Sequence, residues 1–135
     1  MPKTNLHQHI FIDALPSKVW KVLTSCHYVN QYLLEGTVLC QWTEGSTITL
    51  ITQNEETIHK GNIVQVVPGV LLTYKLHEEA TNNFIRIGYE LIPAEDGIEL
   101  KFYSDNFIDT DENYFLRIKD TKLLLQKIKW LAEYA

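Results

Sequence analysis

Cysteine is scarce in this sequence. The 135 residues carry two, Cys26 and Cys40, with no CxxC spacing. Two such thiols without a secretory leader read as free side chains in a reducing cytoplasm rather than as a disulfide framework. The opening Met-Pro-Lys-Thr-Asn lacks the apolar stretch of a signal peptide. No window approaches the ~18 apolar residues of a membrane span, so membrane insertion is not expected. Basic charge is also short, with 12 Lys and Arg against 17 Asp and Glu, for a formal net charge of -5. That balance argues against a nucleic acid or an anionic membrane surface as the main partner, since both require clustered cations. The one basic concentration, Lys119, Lys122, Lys127 and Lys129, reads as the wet face of a helix. A Gly-rich phosphate loop, a Gly-x-Ser-x-Gly elbow and a His-Glu-x-x-His pair are all missing. No repeat, low-complexity tract or linker divides the chain, so residues 1–135 read as one domain.

What is present is periodicity. Leu6, Gln8, Ile10, Ile12 and Ala14 alternate with His7, His9, Phe11 and Asp13, which predicts a first strand. Pro16 presets a helical φ, and Val19, Trp20, Val22 and Leu23 follow at helical spacing to Thr24. A second short helix is expected from about 26 to 34, with Gly36 as its stop signal. Six strand-like runs follow, near 37–43, 46–53, 56–67, 70–77, 83–93 and 97–107. Turn chemistry separates them, Asp96-Gly97 being the strongest hairpin signal. Short connections predict an antiparallel meander.

Asp109 and Glu112 form a capping-box-like pair ahead of a long helix from about 112 to 134. Its apolar stripe is Tyr114, Ile118, Thr121, Leu124, Leu125, Ile128, Leu131 and Ala132. Lys119, Lys122, Gln126, Lys129 and Glu133 fall on the opposite, solvated face. A helix with one apolar face must bury it, and the sheet is the expected partner. The reading is an α+β fold: a curved antiparallel sheet of about seven strands, two short helices after strand one, and a long C-terminal helix packed over the sheet.

Several pieces in this order resemble one family. Ile12-Asp13-Ala14-Leu15-Pro16-Ser17-Lys18-Val19-Trp20 looks like its opening strand and Pro-x-x-Val-Trp helix start. Leu23-Thr24-Ser25 to Tyr32-Leu33 looks like its second helix. Trp42-Thr43-Glu44-Gly45-Ser46 resembles its Trp-x-x-Gly-Ser turn. Gly61 to Pro68 with Leu71-Leu72-Thr73-Tyr74, and Tyr89 to Pro93 with Asp96 to Leu100, resemble its later strands. The resemblance is to the START-related (SRPBCC) superfamily with its helix-grip fold, and most of all to the heat-shock-protein-90 ATPase activator homologue family. Two features depart from that family: Asp120 or Thr121 stands where a Trp is common, and Phe102 to Asn106 replaces a His-bearing strand end.

The resemblance implies a cavity between sheet and last helix. Alternation puts Leu72, Tyr74 and Leu76 on one strand face, Ile85, Ile87, Tyr89 and Leu91 on the next, and Ile98, Leu100, Phe102 and Ser104 on a third. The candidate ligand-binding residues are Tyr32, Leu33, Leu72, Tyr74, Ile87, Tyr89, Leu100, Phe102, Ser104, Leu124 and Ile128. Apolar walls with a few hydroxyls suit a small apolar or amphipathic molecule, and Tyr74 and Tyr89 could orient its polar group. Core packing is the ordinary reading of such stripes.

No catalytic set, cofactor or metal site emerges beside it. His7 and His9 share a strand face opposite Ile10 and Ile12, which points them to solvent, and a third ligand is lacking. His59 and His77 have no carboxylate or thiol at a recognisable spacing. Cys26 and His27 are adjacent and so diverge. Asp105, Asp109, Asp111 and Glu112 lack EF-hand spacing. Glu35 and Glu44 flank a turn near the expected cavity mouth and matter only if buried.

Three functions are therefore weighed. Binding of a small hydrophobic molecule leads. The family resemblance suggests a chaperone ATPase-activator-like interaction protein as an alternative. A cyclase- or dehydratase-like enzyme using Tyr74, Tyr89 or a buried carboxylate is the third. A homodimer is a further candidate partnership, with Trp130 beside the charged helix face as a contact ring.

Overall fold

Alternating sequence becomes a seven-stranded, wholly antiparallel sheet in the order β1-β7-β6-β5-β4-β3-β2. The computed structural model describes residues 3–32, 36–52, 58–78, 83–108 and 111–134. The elements are β1 (Lys3–Ile12), α1 (Pro16–Thr24), α2 (Cys26–Tyr32), β2 (Gly36–Leu39), β3 (Thr47–Thr52), β4 (Ile58–Val67), β5 (Leu71–Glu78), β6 (Asn83–Ala94), β7 (Gly97–Ile108) and α3 (Asp111–Tyr134). From β2 to β7 the chain is a meander of neighbours, and β1 closes beside β7.

Pro16 opens α1 behind Leu15, which offers no capping side chain, so the ring's fixed φ stands in for a cap. Thr24 Oγ1 then donates back to the Trp20 carbonyl at 2.8 Å in the last turn. Within α1 the residues Val19, Val22 and Leu23 are fully buried. They join Ile12, Leu72, Ile98, Leu100, Ile128 and Leu131 in one core. Burying each such side chain contributes about 1.5–3 kcal/mol.

The described part of α3 buries Thr121, Leu125, Ile128, Leu131 and Ala132, as its stripe predicts. Tyr114 and Ile118 lie outside the described side chains. The helix does not rest on the sheet alone, because it also packs against α1 and α2. No described helix is long and apolar enough to cross a membrane.

Four details differ from the sequence reading. Lys129 and Glu133 are not on a fully wet face: their side chains keep only 35% and 10% of their exposure. Lys129 Nζ donates to the Phe11 carbonyl at 3.0 Å, and Glu133 accepts the Asp13 N–H at 2.8 Å. Both bonds saturate backbone at the end of β1, an edge strand that would otherwise offer those groups to another chain. Strand β1 also ends two residues early, leaving Ala14 half-buried in the connection to α1.

Strand β2 stops at Leu39 rather than near 43, because Cys40 to Trp42 leave the ladder and the chain turns at Thr43 to Gly45. The hairpin at Asp96-Gly97 forms, but its two loop residues are Glu95 and Asp96, and Gly97 already pairs with Ala94. Among the described residues only Gly45 and Gly69 are glycines with positive φ, so this is not the left-handed turn that Asp-Gly favours. Gly97 is required for closeness instead: a Cβ there would stand 2.3 Å from the Ile12 carbonyl oxygen. The Asp109–Glu112 pair expected to cap α3 lies outside the described residues and side chains.

Candidate functional site

The inner sheet face is organised in cross-strand rows. One row runs Gln8, Phe102, Tyr89, Leu72 and Val66 across β1, β7, β6, β5 and β4. The next runs Leu6, Ser104, Ile87, Tyr74 and Ile63. Both rows follow from strict alternation in β5, β6 and β7, which the sequence made legible. Seven of the candidate residues, Leu72, Tyr74, Tyr89, Leu100, Phe102, Ser104 and Ile128, are buried. Ile87 and Leu124 are half-buried against the same core. The side chain of Tyr32, and Leu33 altogether, lie outside the described residues.

Two aromatic contacts order this face. Tyr89 meets Phe102 edge-on, with ring centroids 5.4 Å apart and planes at 64°. Tyr74 and Tyr89 sit diagonally on neighbouring strands, and their phenols share a hydrogen bond. Complete burial pushes the Tyr74 phenol up to about 12, against the downward pull of that bond. A phenol held so far from neutrality is a poor general acid or base, yet it stays a neutral hydrogen-bonding group. This weakens the cyclase-like role considered for Tyr74.

At one corner of the face the chain makes an unusual turn. Trp42 adopts φ 58°, the one positive φ among described non-glycine residues. Its N–H donates to Cys40 Sγ at 3.2 Å. The turn is pinned to β4 by Gly45 N–H to Ile63 O at 2.8 Å and by Ile63 N–H to Ser46 O at 2.9 Å. Glu44 is exposed, and its carboxylate accepts the Val66 N–H at 3.1 Å, which makes it a brace rather than an indoor acid. Glu35 lies outside the described residues.

Cys40 and Cys26 are both free thiols, and Cys26 Sγ approaches the Cys40 carbonyl at 3.7 Å. Burial raises the Cys40 thiol above its ordinary value. The indole of Trp42 packs against the core, and its Nε1 is buried with no hydrogen-bond partner among the described residues. Sequence reading identified Trp42 only as part of a turn motif. Neither its backbone conformation nor its orphaned donor is visible in residue types.

The remaining polar candidates stay apart. His7 and His9 are exposed, His7 stacking on Tyr103 and His9 pairing with Glu99 at 2.5 Å. His27 lies near Gln31 while Cys26 faces Cys40, so the two adjacent residues form no dyad. No cluster of three metal-ligating side chains occurs among the described residues. The acidic group at 105, 109, 111 and 112 falls outside the described side chains. A surface depression of about 450 Å³ is bounded by Asp13 to Pro16 and Pro93 to Ile98.

Comparison with known proteins agrees with this architecture. The family model described as Activator of Hsp90 ATPase homolog 1-like protein matches residues 13–130. Protein MLL2253 from Mesorhizobium loti superposes with a TM-score of 0.83 at 17% identity, covering 95% of this chain and 96% of its own. The Aha1 dimer from Colwellia psychrerythraea gives 0.78 at 18% identity, with 97% of each chain covered. ChR145 from Cytophaga hutchinsonii gives 0.79 at 22% identity over 96% of this chain and 94% of that one. At these identities the likeness is one of fold. No curated protein sequence matches.

Proposed function

This chain belongs to the Activator of Hsp90 ATPase homolog 1-like family, and from its inner face we propose that it binds a small apolar or amphipathic molecule between the sheet and α3. The observation that carries the reading is the buried Tyr74–Tyr89 phenol pair, its Tyr74 member kept neutral, on a largely apolar sheet face. A buried hydroxyl pair at that position supplies orientation, while Leu72, Leu100, Phe102 and Ile128 supply the apolar wall. Ile87 and Leu124 are the half-buried members, the places where a guest would displace least packing. Ser104, buried in register with Ile87, adds a third hydroxyl. Tyr32 and Leu33 complete the proposed set from α2 and the residue after it. On this reading residues 1–135 act as one domain, in a cytoplasm that keeps both thiols reduced.

Native mass spectrometry and thermal shift against a panel of medium-chain alkanes, ketones, fatty acids and aromatic metabolites test the proposal. Binding of at least one class, lost or weakened in Leu100→Trp, is the expected result. Failure of every class to bind or to raise the melting temperature removes it.

Activation of a chaperone ATPase is the second reading, supported by the family's description. A pull-down with the host chaperone and its ATPase rate with and without this protein decide it. Self-association is a third partnership, supported by the dimer formed by the Colwellia psychrerythraea protein and by the exposed Trp130 and Tyr134 on α3. Sedimentation of the wild type against Trp130→Ala tests that contact.

A further inference from the structure

A buried donor without an acceptor is costly, about 1–3 kcal/mol for an indole N–H taken out of water. Trp42 carries that cost on top of a left-handed backbone that β-carbon sterics disfavour. Local structure explains the backbone, because the same turn lets the Trp42 N–H reach Cys40 Sγ and docks Gly45 and Ser46 on Ile63. It does not explain the indole. The ring is partly buried against the core, with Nε1 itself buried.

A single trapped water is a poor remedy, since buried waters are typically held by about three polar partners. Two polar groups of this corner are already engaged: the Cys40 thiol by the Trp42 backbone N–H, and the Tyr74 phenol, electrostatically linked to Cys40, by Tyr89. We propose that Trp42 is the recognition donor of this interior, its Nε1–H hydrogen-bonding a carbonyl or ether oxygen on an uncharged, otherwise apolar ligand. This rests on the binding function proposed above and adds the chemical class of the guest.

The charge state of the corner selects that class. Cys40 is kept protonated by burial, and Tyr74 is kept protonated well beyond neutrality. Among the described residues, no Lys or Arg is buried in the core. A carboxylate placed there would be desolvated without a counter-charge, which is far costlier than burying a carbonyl that accepts one hydrogen bond. A plain hydrocarbon would fit the walls but leave Nε1 as it is. The preferred guest is therefore a ketone, ester or ether rather than a free fatty acid or an alkane.

The test compares a medium-chain methyl ketone, the alkane of equal carbon count and the corresponding carboxylate, by native mass spectrometry and calorimetry on the full chain. The ketone is expected to bind about 5- to 10-fold tighter than the alkane, the worth of one net hydrogen bond. Trp42→Phe is expected to abolish that difference while keeping alkane binding. Should the variant fail to fold, the wild-type indole N–H resonances give a separate readout: the ketone shifts one of them downfield and the alkane leaves it in place. Equal binding of ketone and alkane overturns the inference and leaves the binding function standing. Tightest binding by the carboxylate, or a ketone preference that survives Trp42→Phe, also overturns it. If none of the three binds, this inference falls, and the wider panel above decides the binding function.

Discussion

Glu133, at the end of α3, accepts the backbone N–H of Asp13 at 2.8 Å, joining residues 120 positions apart. Lys129, one turn earlier, bonds both the Glu133 carboxylate and the Phe11 carbonyl. The pair acts on β1 as a short length of neighbouring strand would, accepting one edge N–H and donating to one edge carbonyl. The long helix is thereby tied to the edge strand by polar bonds as well as by its apolar stripe.

That arrangement sets a pH dependence. The Lys129 hydrogen bond first, and the Asp13 N–H second, hold the Glu133 carboxyl below its ordinary value of 4.5. Its folded pKa is depressed, so its stabilisation is fully present above the ordinary value and is lost as pH falls through the folded one. Glu133→Gln should cost about 1 kcal/mol at neutral pH. In urea melts over a pH series, the gap between wild type and variant should close in acid. A gap unchanged across the series would contradict the assignment.

Tyr74 predicts the opposite limb. Its folded value of about 12 exceeds the ordinary 10, so its contribution is fully present below the ordinary value and is lost as pH rises through the folded one. Between those values stability should fall by roughly 1.4 kcal/mol per pH unit for this one group. Tyr74→Phe should flatten that slope, and phenolate absorbance should show one tyrosine ionising late.

Gly88 lies under the Tyr103 ring on the outer sheet face, where an added Cβ would come within 2.1 Å of Tyr103 Cζ. Tyr103 also hydrogen-bonds Thr73 at 3.2 Å and stacks on His7. Gly88→Ala should therefore displace the ring and cost about 1–3 kcal/mol. In the Tyr103→Ala background the same change should cost far less. Additive costs in that double-mutant cycle would show that the ring is not what glycine accommodates.

Truncations grade the inner face. Leu100 and Ile128 are fully buried, so Leu100→Ala and Ile128→Ala should each cost about 2–5 kcal/mol in chemical denaturation. Leu124→Ala, at a half-buried position, should cost roughly half as much. Equal losses at Leu124 and Ile128 would mean that Leu124 is as tightly packed as the core.

Much of this fold is legible in residue order because its signals are local. Period-two alternation in β1, β5, β6 and β7 determines which side chains share a face, and a register slip would send all of them to solvent. Pro16 marks the start of α1, and the stripe ending at Leu131 and Ala132 marks the buried side of α3. What residue types cannot convey is how distant elements meet. Helical spacing put Lys129 and Glu133 on the polar face, and only the approach of α3 to β1 gives them backbone partners. Asp96-Gly97 announced a turn, but the closeness of Ile12 decided why the glycine is there. Trp42 is the clearest case: its side chain is apolar by composition, while its unmatched N–H exists only because the turn, Cys40 and Ile63 fold the indole against the core. Hydrophobic patterning is a property of single segments, whereas burial and hydrogen-bond satisfaction belong to the assembled fold.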